Sequence, residues 1–123
     1  MKRRVVITGL GALSPIGNNV NDFWSAIKAG KSGAAPITKF DTEKFKVSFA
    51  CELKGYDPLQ FFDSKEVRKY DLFSQYALVA VAEAVEQANI DFESLNRDRI
   101  GVIWGSGNGG IQTFQDQMLE YCQ

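Results

Sequence analysis

The sequence contains no histidine and only two cysteines in 123 residues. Histidine is the side chain whose ordinary pKa lies nearest neutrality, and it is the commonest metal ligand. Its absence removes Ser-His and Cys-His nucleophile pairs and the usual histidine-based metal sites. Cys51 and Cys122 lie far apart and match no metal-ligand spacing, which reads as reduced thiols in a reducing compartment. Net charge is nearly absent too: 14 basic against 15 acidic residues leave −1, so no general field draws the chain to nucleic acid or to an anionic membrane. Long apolar runs are missing as well. Thr8, Gly9, Ser14, Pro15 and three asparagines break up the first candidate, and no small-residue cleavage site follows the basic start Met1 to Arg4. These absences predict a cytoplasmic chain with no metal, no cofactor, no nucleic acid and no membrane.

What is present suits a packed core, with 45% hydrophobic residues and 12% aromatics in a length of one domain or part of one. The leading feature is Arg4 to Lys28. Val5, Val6 and Ile7 are β-branched and predict a buried strand. Gly9-Leu10-Gly11 ends it and marks a tight approach to another backbone or to a ligand. A helix follows, capped at Asn18 or Asn19, with Phe23, Trp24 and Ile27 on one stripe and Gly30 at its end. A dinucleotide fingerprint would need G-x-G-x-x-G opening this helix directly. Ser14 and Pro15 intervene, so its first N–H groups cannot reach a pyrophosphate held against Gly9 and Gly11.

Further along, residues 30–38 read as a loop, and 46–54 alternate so cleanly that a half-buried strand is expected. Its apolar face would carry Val47, Phe49, Cys51 and Leu53, making Cys51 a structural thiol. Asp57-Pro58 opens one helical turn, and Asp63 or Ser64 opens another that ends at Lys69. In the second, Lys65, Arg68 and Lys69 share a face at i, i+3 and i+4. Such a ridge is either solvated surface or the landing site of an anionic partner. Residues 72–87 predict a long helix, capped at Asp71, ended at Asn89, and apolar enough to be covered on two sides. Ile100 to Trp104 predicts a second buried strand. It leads through Gly105-Ser106-Gly107-Asn108-Gly109-Gly110 into a helix from Ile111 whose Phe114, Met118, Leu119 and Tyr121 form an apolar surface. No lysine follows these glycines, so they are not a P-loop. Their density indicates close packing.

Four stretches, in this order and spacing, resemble the elongating β-ketoacyl-ACP synthases of fatty-acid synthesis, in particular the synthase II type: RRVVITGLGALSPIGN at 3–18, KSG at 31–33, SKEVRKYDLFSQYALVA at 64–80 and RIGVIWGSGNGG at 99–110. The resemblance implies an α/β, thiolase-like layered fold with mixed sheets and buried helices. Residues 1–123 would be the N-terminal part of that domain, and the whole protein a homodimer. It also implies decarboxylative Claisen condensation of acyl-ACP with malonyl-ACP, carried by a cysteine and two histidines outside these residues. Neither Cys51 nor Cys122 stands in the family's T-A-C-type context, so no catalytic residue is assigned. Lys65, Arg68 and Lys69 match positions that meet the acidic helix of acyl carrier protein. Gly107, Asn108 and Gly109 match a loop lining the acyl pocket, where many members carry an aliphatic residue in place of Asn108. The alternative expectation is a non-catalytic, chain-length-factor-like partner, or a truncated module that binds carrier protein.

Overall fold

The computed structural model describes residues 3–123. Its axis is α3, Leu72–Ala88, which ends as expected at Asn89, a left-handed residue with φ 50° and ψ 49°. Two neighbouring ridges of α3 run at four-residue spacing. The first is Ala80, Ala84 and Ala88, and the N-terminal segment lies directly on it. A Cβ on Gly9 would stand 2.0 Å from the Ala84 carbonyl oxygen, and one on Gly11 1.8 Å from that of Ala80. Neither glycine has positive φ, so both serve to vacate space. The close approach read at Gly9 and Gly11 is present, and what they approach is a helix.

The second ridge is Gln75, Val79, Glu83 and Gln87. Gln87 accepts from the Leu10 N–H. The Glu83 carboxylate accepts from Ala12 N–H at 2.9 Å and from Val20 N–H at 2.8 Å. One side chain thus fastens both ends of the connection between the threaded segment and α1, Val20–Lys28. A hydrogen bond to a charged acceptor contributes about 1.5–3 kcal/mol. Asn19 caps α1 by accepting from Asp22 N–H at 2.8 Å, and Ser14 and Gly17 exchange backbone bonds of 2.9 and 3.2 Å to close the turn before it.

The strands differ from expectation. Val5 to Ile7 and Ile100 to Trp104 form no ladder, and Ile103 is fully exposed. β-Branched residues fit a pleated sheet, but a strand exists only where a neighbour takes its backbone bonds. Among the described residues no such neighbour runs alongside either segment. The sheet that does form pairs β1, Ala35–Pro36, inside the expected loop, with β2, Phe49–Ala50, in antiparallel register Ala35 to Ala50.

The facing of residues 46–54 is also largely reversed. Val47, Phe49 and Cys51 are exposed, while Ala50 and Glu52 are partly covered. Thr38 explains this: its hydroxyl and N–H both donate to Glu52, at 2.8 and 3.1 Å, drawing the polar face toward β1. The Thr38 hydroxyl holds the Glu52 carboxyl below the usual carboxylate range.

α3 is covered less than expected. Gln75 and Val79 are its buried residues, and Leu72 and Leu78 remain exposed. The mixed sheets of a layered fold are not formed among the described residues, where the sheet has two short strands. No helix there is long and apolar enough to cross a membrane.

Candidate functional site

The basic ridge stands on α2, Ser64–Lys69, a helix of only 6 residues. Isolated helices this short are unstable in water, so its ends must be held. At the N-terminus, Asp63 accepts from Lys65 N–H and Glu66 N–H at 2.7 and 2.9 Å, and Glu66 accepts in return from Asp63 N–H at 3.2 Å, completing a capping box. At the C-terminus the orphan carbonyls are met by a residue of α3. Gln75 Nε2 donates to Tyr70 O at 2.8 Å and to Val67 O at 3.2 Å, while its Oε1 accepts from the Tyr56 hydroxyl at 3.1 Å.

Gln75 is 3% exposed, and every bond its amide makes inside the protein replaces one lost to water. Tyr56 is fixed in turn, edge-to-face on Tyr76 at 5.0 Å and stacked on Phe61 at 6.0 Å. Burial pushes the pKa of both tyrosine hydroxyls up, so Tyr56 remains a donor.

On this platform Lys65, Arg68 and Lys69 are all exposed. Arg68 Nε donates to Ser64 O at 3.0 Å, and Lys69 Nζ lies 5.5 Å from the centre of the Tyr70 ring. Two of the three cations sit in the last helical turn, where the helix dipole favours positive charge.

The glycine loop feeds α4, Ile111–Tyr121, through Gly110, whose φ of 74° is left-handed. Asp71 occupies the cap position of α3 without capping it. Its carboxylate accepts instead from the Thr113 hydroxyl at 2.6 Å, joining α4 to the start of α3. The close packing expected of this loop is found in one half of it. A Cβ on Gly109 would meet the Phe73 ring at 3.0 Å, but one on Gly105 or Gly107 would meet nothing within 4 Å. Asn108 is exposed. The apolar face expected on α4 is present, with Phe114, Leu119 and Tyr121 open. Between the ridge and α4 is a cavity of about 400 Å³ reached by Arg68, Lys69, Asp71, Gln75, Thr113 and Asp116.

Sequence reasoning missed Tyr56, Gln75 and Glu83. The signal available was that Gln75, Glu83 and Gln87 fall eight and four residues apart, on one face of a largely apolar helix, which marks a polar stripe with a use. Cys51 and Cys122 are both free and exposed, which corrects the buried, structural reading of Cys51. Among the described residues no cluster of three or more His, Cys, Asp or Glu side chains could hold a metal.

The threaded N-terminal segment, α3 and the glycine loop leading into α4 together match the fold of a solved ketosynthase structure. A solved structure described as the ishigamide ketosynthase/chain length factor matches 100% of this chain with a TM-score of 0.75 and 33% sequence identity, over 31% of its own length. The chain belongs to the β-ketoacyl synthase family: the family's N-terminal domain model matches residues 2–121. Similar proteins include 3-oxoacyl-[acyl-carrier-protein] synthase 2 of Coxiella burnetii, 47% identical over 89% of this chain and 27% of that protein. The protein of the same name from Staphylococcus aureus (strain COL) is 50% identical over 92% of this chain and 27% of its own length. In Synechocystis the corresponding figures are 42%, 94% and 28%. The chain thus spans under a third of the length of each of these relatives.

Proposed function

We propose that this chain is the N-terminal segment of a fatty-acid-synthesis condensing enzyme of the β-ketoacyl-ACP synthase II type. The observation that carries this reading is the similarity to proteins of that name along nearly the whole segment. In the reaction, an enzyme cysteine takes the acyl group and releases the carrier thiol. Malonyl-ACP then loses carbon dioxide, and the resulting carbanion attacks the acyl thioester and expels the cysteine thiolate. The segment's contribution is recognition. Lys65, Arg68 and Lys69 attract acyl carrier protein, and Gly107, Asn108 and Gly109 line part of the acyl pocket. The complete enzyme works in the cytoplasm as a homodimer with a thiolase-like layered fold, whose remaining strands pair with Val5 to Ile7 and Ile100 to Trp104.

The expected result is that the full-length enzyme condenses acyl-ACP with malonyl-ACP and is blocked by a thiol reagent, while residues 1–123 alone show no turnover. Thiol-sensitive turnover by the 123-residue chain itself would overturn the division of labour. The likeness to a structure described with a chain length factor favours a second reading, a non-catalytic partner. A full-length protein that binds carrier protein but never condenses would establish that reading instead.

Asn108 sets a separate expectation. Asn108 is exposed in this segment, and on the proposed reading it faces the acyl channel of the complete enzyme, where a buried amide without a partner costs about 1–3 kcal/mol and an acyl chain offers none. Asn108→Ile in the full-length enzyme should therefore change the ratio of rates with short and long acyl-ACP. Identical chain-length profiles would leave Asn108 as a residue of the turn.

A further inference from the structure

Gln75 is the buried polar side chain among the described residues, and neither catalysis nor the acyl pocket accounts for it. Its amide is fully engaged at both ends, taking a hydrogen bond from Tyr56 and giving two to the last turn of α2. These contacts are aimed at the one short helix that displays Lys65, Arg68 and Lys69. A 6-residue helix has few internal bonds of its own. The capping box fixes its start, and without Gln75 its final turn, which carries Arg68 and Lys69, would be free to fray.

Long cationic side chains gain affinity when the backbone beneath them is already ordered, because less freedom is lost on binding. We infer that Gln75, held in place by Tyr56, is a positioning residue for carrier-protein docking: it locks α2 so that the basic ridge is presented in one arrangement. This rests on the reading of Lys65, Arg68 and Lys69 as the carrier-protein contact.

The test compares two substrate forms in the full-length synthase: acyl and malonyl groups on acyl carrier protein, and the same groups on free pantetheine, which cannot touch the ridge. Gln75→Leu keeps the bulk and removes both the donor and the acceptor. It should raise KM for the carrier-protein substrates by about ten-fold with kcat retained, and leave KM for the pantetheine thioesters unchanged. Tyr56→Phe keeps the aromatic contacts and removes only the hydroxyl that orients Gln75. It should shift the carrier-protein KM in the same direction by a smaller factor.

Equal losses with both substrate forms, or failure of both variants to fold, would overturn the inference, since Gln75 would then serve the core at large; no loss with either form would overturn it too, since docking would then not depend on Gln75. A triple charge-reversal variant of the ridge tells the two ideas apart. If reversal leaves the carrier-protein KM unchanged, the reading of the ridge fails. If reversal raises it and Gln75→Leu does not, only the positioning role fails.

Discussion

Gly11→Ala should lower the stability of the full-length protein by about 3 kcal/mol or more, read as a shift in the urea midpoint at constant slope. The added methyl would lie 1.8 Å from the Ala80 carbonyl oxygen and 2.7 Å from its carbonyl carbon. Those are backbone atoms in the middle of α3, so neither can swing away. Relief requires lifting the N-terminal segment, which also strains the bonds from Leu10 and Ala12 to Gln87 and Glu83.

Gly30→Ala is the control. Gly30 has φ +63° and a Cβ added there would meet nothing within 4 Å, so alanine meets only the left-handed penalty of about 1–2 kcal/mol. Equal losses at the two positions would mean that the segment is not threaded against α3.

One side of that contact was legible in advance, since Gly9 and Gly11 mark a close approach to a backbone or a ligand; the identity of the partner, the Ala80–Ala84 ridge of α3, was not. The helices were legible for similar reasons: Asn19 caps α1, Asp63 opens α2, and Asn89 ends α3 in the left-handed region. These are short-range facts, decided within one or two turns of chain. The strands were not. Val5 to Ile7 and Ile100 to Trp104 have the composition of buried strands, but a ladder depends on a neighbour that composition does not specify. The alternation at 46–54 was real, yet its direction was decided by Thr38, a residue distant in sequence that binds Glu52. Of the candidate site, the ridge was visible as a charge pattern on one helical face. Its anchoring was hidden, since Gln75 looks like an ordinary surface glutamine until the carbonyls of α2 are brought to it.

Reversing the ridge should have the largest effect on recognition. Lys65→Glu, Arg68→Glu and Lys69→Glu together turn three attractive charges into three repulsive ones, and the carrier-protein KM of the full-length enzyme should rise roughly 100-fold, about 2.7 kcal/mol. All three side chains are exposed, so little core packing is at stake. Placing acids in the last turn of α2 opposes the helix dipole and costs about 0.3–1 kcal/mol per residue. The matching glutamine variant, Lys65→Gln, Arg68→Gln and Lys69→Gln, separates that cost from docking, because it removes attraction without adding repulsion and should raise KM by a smaller factor. Salt provides the second check. Screening shortens from about 8 Å at physiological ionic strength to about 3 Å at 1 M, so wild type and both variants should converge as salt rises. Turnover of pantetheine thioesters should be the same in all three proteins. An unchanged carrier-protein KM at low salt would make the ridge a solvated surface and return carrier-protein recognition to other parts of the enzyme.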